Sequence, residues 1–321
     1  MSKELRFDGK VAIVTGAGGG LGRSHALLLA ARGAKVVVND LGGSFTGEGK
    51  SSSAADKVVD EIKAAGGTAV ANYDSVENGD AIVKTAVDAF GKVDILINNA
   101  GILRDVSFQK MSQADWDLIY KVHVFGSYKC TAAAWGLMRD QGYGRIVMTG
   151  SGAGLFGRRR DHAYSVAKSA LIGLTKVLAT EGDKQGIKVN LVGPIAFTDA
   201  SSRQGIPSIM SRFAPPIMVS NLVAVLAQID TQPCRGKYDH PRQGQLDHMT
   251  DLIRHLENSS DELSTDPSVG LSEAKPSVAK SVPGFASLNP AYDRSRRLPC
   301  KARVDPKGTK FEFGEVVVGR L

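Results

Sequence analysis

Ser151, Tyr164 and Lys168 are residues of this chain whose types and spacing could move a proton. They lie in SGAGLFGRRRDHAYSVAK, residues 151–168, with the tyrosine and the lysine four positions apart. On a helix that spacing puts both side chains on one face. A tyrosine hydroxyl titrates near about 10, too high for a base at neutral pH, and a neighbouring ammonium would lower it. A serine before that helix could hydrogen-bond a substrate oxygen and stabilise charge developing on it. The three residue types together suit proton exchange with an alcohol or carbonyl oxygen. The same types on an unrelated loop and helix would be coincidence, so the rest of the chain must supply a reason for them.

A reason stands near the N-terminus. In VAIVTGAGGGLGRSHALLLAARGAKVVVND an apolar run enters Thr15-Gly16-x-x-x-Gly20-Leu21-Gly22 and a helical pattern follows at once. Glycines there let the backbone turn tightly and approach a pyrophosphate, which then sits at the helix N-terminus where N–H groups favour anions. Asp40 ends the next apolar run, eighteen positions after Gly22, as expected of a residue that accepts ribose hydroxyls. A carboxylate at that point repels a 2′-phosphate, and neither the glycine loop nor Leu41-Gly42-Gly43 offers a cation to offset it. The pattern therefore predicts NAD rather than NADP.

The elements that must position these residues alternate strictly. Strands are predicted at 10–15, 35–39, 68–73, 93–98, 144–150 and 187–193, with amphipathic helices between them. Ala55, Val58, Val59 and Ile62 fall at helical spacing, and Gly66-Gly67 stop that helix. Such alternation predicts an α/β fold: a Rossmann-type, doubly wound parallel sheet with helices on both faces. A domain over 1–230 is expected, followed by a divergent, partly disordered extension over 231–321, where Ser and Pro replace bulky apolar residues. Within the extension a short helix is expected at LDHMTDLIRHLEN and strand character at TKFEFGEVVVGRL.

Composition narrows the classes. The chain has 321 residues, 42% of them hydrophobic, and no run approaches the ~20 apolar residues of a membrane helix. The charged N-terminus has no signal-peptide core. Three scattered cysteines argue for a reducing compartment and against a metal site. A net charge of +7 suits an anionic small molecule, and no basic stripe interleaved with aromatics suggests nucleic acid.

The TGxxxGxG loop, NNAG at 98–101, and Ser151 with Tyr164-x-x-x-Lys168 together resemble the short-chain dehydrogenase/reductase family. VVVNDLGGSFTGEGKSSSAADKVVDEI, NNAGILRD, DWDLIYKVHVFGS and YGRIVMTGS are closer still to the (3R)-hydroxyacyl-CoA dehydrogenase domains of peroxisomal type 2 multifunctional enzymes, over roughly residues 5–228. The resemblance implies an oxidoreductase of fatty-acid β-oxidation that turns a (3R)-3-hydroxyacyl-CoA into the 3-ketoacyl-CoA. Ser151, Tyr164 and Lys168 would be catalytic, Ser151 and Tyr164 would meet the substrate, and Tyr164 and Lys168 would also meet the cofactor. His123 stands where the wider family carries asparagine and would help hold a water relay behind the lysine; a satisfied helix histidine is the other reading. Besides Thr15, Gly16, Gly20, Leu21, Gly22 and Asp40, the cofactor would meet Asp74, Ser75, Val76, Asn99, Pro194, Ile195, Ala196 and Thr198.

The resemblance further implies a homodimer or homotetramer built on the helices near 112–137 and 162–184. It suggests a peroxisomal location, although the terminal Gly-Arg-Leu shares only its basic-Leu ending with the Ser-Lys-Leu address; the cytoplasm is the other expectation. A steroid or other secondary alcohol as substrate, or dinucleotide binding without turnover, are the rival functions. Arg158-Arg159-Arg160-Asp161 departs from the neutral loop usual in the subgroup. It could be a solvated basic turn, a clamp for coenzyme A phosphates, or a disturbance of the tyrosine helix.

Overall fold

The computed structural model describes residues 5–44, 46–49, 51–198 and 214–228. The expected extension over 231–321, with its helix and strand, lies outside the described residues. Six parallel strands form one sheet: β1 (Val11–Thr15), β2 (Lys35–Asn39), β3 (Thr68–Asn72), β4 (Ile95–Asn98), β5 (Gly144–Thr149) and β6 (Ile187–Val192). Their order is β3-β2-β1-β4-β5-β6. The order reverses between β1 and β4, and in open α/β sheets the crevice beyond the carboxyl ends of such strands takes the ligand.

Both faces of the sheet are covered, which is why the strands read as continuous apolar runs. Ala12 and Val14 of β1 pack with Leu29 of α1 (Gly20–Ala31), Val58 and Ile62 of α2 (Ser53–Ala64), and Val219 and Val223 of a later helix, Pro216–Leu226. Val11 and Ile13 point the other way, onto Ile82 and Ala86 of α3 (Gly79–Phe90) and Cys130, Ala134 and Met138 of a helix over Gly126–Asp140. Alternate residues of a strand face opposite sides, so each strand feeds two cores.

The helix expected over 112–137 is divided. It runs as α4 (Gln113–Tyr120), a π turn at Lys121–Phe125, and α5 (Gly126–Asp140). Ser112 caps α4, its hydroxyl accepting the Asp115 N–H at 3.1 Å. The π turn carries His123, and such bulges frequently mark functional sites. After β5 come a short α6 (Gly152–Phe156) and a long α7 (His162–Gly182), with α8 (Pro216–Leu226) closing the described part. Asp161 occupies the N-cap position of α7, so the arginine-rich loop does not disturb the tyrosine helix.

Between β2 and α2 the chain makes a closed strap. Its base is held by the Ser51 N–H on the Leu41 carbonyl, 3.1 Å. Arg104, after β4, grips its tip: Nε donates to the Thr46 carbonyl at 2.8 Å while the guanidinium pairs with Glu48 at 3.7 Å and Asp115 at 3.0 Å.

Candidate active site

The glycine loop is set by contacts that side chains would forbid. A Cβ on Gly22 would stand 2.1 Å from the Gly16 carbonyl oxygen, and one on Gly16 (φ +62) 2.7 Å from Ala100 Cα. The Thr15 hydroxyl accepts the N–H groups of Asn99 and Ala100 at 3.0 and 3.1 Å. Asn99 Nδ2 donates back to the Thr15 and Gly16 carbonyls at 2.9 and 3.1 Å. Loop and β4 end are thereby locked together, and no side chain caps the N-terminus of α1. Asp40 closes one flank, its Oδ2 accepting the Gly18 N–H at 2.8 Å and its Oδ1 the Gly42 N–H at 2.7 Å. The other flank is the segment after β6, where Thr198 Cγ2 would be 3.7 Å from a Cβ on Gly20. Leu21 packs inward against the α1 side of the core and Ala196 joins the same cluster, whereas Ile195 is exposed; Pro194 leads into this segment.

Asp74, Ser75 and Val76 follow β3. The Asp74 carboxylate accepts from Asn72 Nδ2 at 2.8 Å and its carbonyl from Asn39 Nδ2 at 2.9 Å. The Ser75 hydroxyl accepts the Glu77 N–H at 3.3 Å, and Val76 is buried beneath Gly126. These three residues are therefore a pinned rim. The cradle, an uncapped helix start beside glycines that admit no Cβ and a carboxylate beyond, fits a dinucleotide.

At the other end Ser151 caps α6, its Oγ accepting the Ala153 N–H at 3.2 Å. Tyr164, on the first turn of α7, has its hydroxyl within hydrogen-bonding reach of the Ser151 side chain. One turn further on, Lys168 is 3% exposed and its Nζ donates to the Thr149 carbonyl at 2.5 Å, 5.6 Å from the centre of the Tyr164 ring. The expectation that Lys168 lowers the tyrosine pKa is not what the cofactor-free geometry gives. Burial dominates and holds the phenol above its usual 10, with Ser151 and Arg158 pulling down and Asp161 and Asp105 pushing up. The lysine itself is pushed down from 10.5 to about 7 by burial. A charge taken out of water costs more than one carbonyl returns, which is why the ammonium gives up its proton more readily than a free lysine.

His123 stands edge-on to Tyr164, ring centres 5.2 Å apart at 87°. Its Nε2 lies 2.9 Å from the Ile102 carbonyl oxygen and 3.1 Å from the Ile102 N–H, while Nδ1 is buried without a hydrogen-bond partner. Burial, followed by the Lys168 charge, pushes its pKa down to about 3, so the ring is neutral at working pH. Gly101 makes room for it: a Cβ there would be 2.5 Å from His123 Cε1. Ile102, Thr149 and Asp105 are parts of this site that the sequence does not single out, and Asp161 stands out there only within the arginine-rich loop. Ile102 and Asp105 sit inside NNAGILRD and Asp161 inside the divergent loop, so the signals were motif extension and departure. Among the described residues no His, Cys, Asp or Glu cluster could hold a metal, and no helix is long and apolar enough to cross a membrane.

Comparison with known proteins fits this geometry. The model of the short chain dehydrogenase family matches residues 10–206. A peroxisomal multifunctional enzyme A of Dictyostelium discoideum is 57% identical over 73% of this chain and 53% of its own length. The mouse peroxisomal multifunctional enzyme type 2 is 58% identical over 61% of this chain and 27% of its own. This chain thus spans about half, or less, of those relatives. Among solved structures, the full-length peroxisomal multifunctional enzyme type 2 of Drosophila melanogaster is similar with a TM-score of 0.58 and 43% identity, covering 71% of this chain and 37% of that one. A 7α-hydroxysteroid dehydrogenase complexed with NADH is similar with a TM-score of 0.63 and 32% identity, over 70% of this chain and 89% of that one.

Proposed function

Because the chain belongs to the short-chain dehydrogenase/reductase family, we propose that it is an NAD-dependent dehydrogenase that oxidises a (3R)-3-hydroxyacyl-CoA to the 3-ketoacyl-CoA in fatty-acid β-oxidation. The observation that carries the reading is the convergence of Ser151, Tyr164 and Lys168 at the end of β5 and start of α7, beside a glycine cradle that admits no Cβ. The substrate class rests on the resemblance of VVVNDLGGSFTGEGKSSSAADKVVDEI, NNAGILRD and YGRIVMTGS to the multifunctional-enzyme subgroup, and on relatives that bear that name. The same names favour a peroxisomal location. NAD, when bound, would accept the hydride from the carbinol carbon.

The chain's own residues do the rest. Ser151 Oγ hydrogen-bonds the substrate oxygen and fixes it beside Tyr164, whose oxygen, in the ionised phenolate form, takes the alcohol proton and becomes the neutral phenol. Lys168 holds the far side of that site through Thr149 and presents an amine that can pass a proton on. His123, neutral, braces the Tyr164 ring and fixes Ile102. Asp40 takes the cofactor's adenosine ribose hydroxyls and selects NAD over NADP. Exposed Phe125 and Tyr128 on the α4–α5 helix, with Val166 and Val177 on α7, offer apolar surface for a second copy of the chain.

The test is NAD reduction followed by absorbance on paired (3R)- and (3S)-hydroxyacyl-CoA substrates. Activity on the R form alone, lost in Tyr164→Phe with NAD binding kept, is expected. Activity on both forms, or a Tyr164→Phe variant that keeps more than a small fraction of the rate, would overturn it. A steroid alcohol is the second reading, favoured by the hydroxysteroid dehydrogenase likeness; preferential turnover of a hydroxysteroid in the same assay would establish it.

A further inference from the structure

Asp161 does not behave as an aspartate at a helix start should. That position ordinarily spends its carboxylate on the free N–H groups of the first turn. Here the Asp161 side chain makes no capping hydrogen bond, although the residue is only 2% exposed. Its carboxyl instead faces that of Asp105, from the loop after β4, within hydrogen-bonding reach. Arg158 closes the group, its Nε 3.4 Å from Asp161 Oδ2. The residue before it is conformationally unusual too: Arg160, with φ +72, is the one non-glycine residue in the left-handed region among the described residues, and such outliers persist where surrounding structure imposes them.

Two ionised carboxylates are acceptors only and cannot bond to each other; a shared proton lets them. We propose that Asp105 and Asp161 share one proton beside the active site, and that the charge of this pair sets the electrostatic environment of Tyr164, making both residues positioning residues for proton transfer. Burial and the facing Asp105 hold Asp161 above the usual carboxylate range, opposed by Arg158. Among the described residues, Arg158 from its own loop and Tyr164 from α7 interact electrostatically with the pair. Neighbouring His162 turns its ring to Phe108 and Trp116, and Arg104 is engaged by Asp115 and Glu48. With its proton, the pair carries one negative charge that Arg158 balances. When the proton leaves to solvent, a second negative charge faces Tyr164 and opposes ionisation of the phenol. The group therefore damps the gain in base strength that rising pH would otherwise give Tyr164. Arg158 and Asp161 belong to the Arg158-Arg159-Arg160-Asp161 run that departs from the neutral loop of the resembled subgroup, whereas Asp105 lies in NNAGILRD, which shares it.

This inference rests on Tyr164 being the proton-transferring group, so the test has two independent readouts on the full chain. The first is an infrared difference titration of cofactor-free protein labelled at aspartate carboxyl carbons. A protonated carboxyl that ionises near neutral pH is expected in the native protein and absent in both Asp161→Asn and Asp105→Asn. The second is the pH profile of kcat/KM for the oxidation. Its rising limb should move to lower pH by about half to one pH unit in either variant, and further in the double variant, which removes the remaining negative charge. Lack of a carboxyl titrating near neutrality overturns the shared proton whatever the activity. A titration that is present with a pH profile identical in all variants overturns the action on Tyr164. A titration that is present in a protein without turnover supports the pair and counts against the dehydrogenase reading alone. Should Asp161→Asn fail to fold, Asp105→Asn, on the loop, makes the same comparison.

Discussion

Replacing Lys168 by Met should inactivate the protein and, near neutral pH without cofactor, leave it as stable or more stable. The side chain is 3% exposed, and burial pushes its amine down from 10.5 to about 7 in the folded chain. At about 1.4 kcal/mol per pH unit, that gap corresponds to roughly 5 kcal/mol of penalty for keeping the group buried. The sign follows from proton counts. Between about 7 and 10.5 the unfolded chain holds a proton that the folded chain lacks, so stability rises with pH across that window, and the penalty is full below it. Methionine has similar length and no charge, but it abandons the Thr149 carbonyl that Lys168 now satisfies, at about 1–3 kcal/mol. Near pH 7 the variant should gain roughly 1–4 kcal/mol net, and a domain of this size moves about 2–4 °C in melting temperature per kcal/mol. Near pH 9.5 the penalty has shrunk to about 1 kcal/mol and the advantage should vanish or reverse. His123 and Asp161 are present in both proteins and largely cancel in the difference. Thermal melts of the two proteins from pH 6.5 to 9.5 measure it. Parallel curves, with the variant lower by a constant amount, would refute the reasoning and mean that the buried amine is well solvated.

Asp40→Ala should weaken NAD binding and narrow its margin over NADP, read by calorimetry; tighter binding of NADP by the native protein would contradict the ribose assignment. Gly22→Ala puts a Cβ 2.1 Å from the Gly16 oxygen, so it should cost about 1–3 kcal/mol or more and abolish cofactor-induced stabilisation in a melt. His123→Asn should keep activity within about tenfold, because the imidazole is neutral and acts through Ile102, whereas His123→Leu should lose the Ile102 hydrogen bond and lower kcat by about 10- to 100-fold with KM for NAD little changed. Equal loss in both variants would show that the ring's shape, and not its hydrogen bonding, is what the site needs.

The local elements were legible in the sequence because local physics makes them. The six apolar runs became the six strands, shortened at some ends; the fourth starts at Ile95 and not at Val93, where the Asp94 carboxylate accepts the Val11 N–H at 2.8 Å. Gly16 and Gly22 could be assigned to a phosphate-binding turn because their lack of a side chain is a property of the residue. Tyr164 and Lys168 could be placed on one face because helical spacing is fixed. Strand order belongs to the tertiary structure, and with it the meeting of β1, β4 and β5 that brings Thr15, Asn99 and Ser151 to one edge.

Electrostatics was decided there too. Residue type suggested that Lys168 would strengthen Tyr164 as a base, yet burial depresses the lysine and raises the tyrosine. Desolvation depends on everything packed around a group, and no spacing rule contains it. The π turn that aims His123 at Ile102 and Tyr164 interrupts what reads as a continuous helix. Asp105 and Asp161 lie fifty-six residues apart in the chain; only folding turns them into a facing pair. Sequence alone determined which groups were available for chemistry, through residue type and local geometry. The tertiary structure decided which of them are charged, because charge depends on solvent access and on neighbours that are distant along the chain.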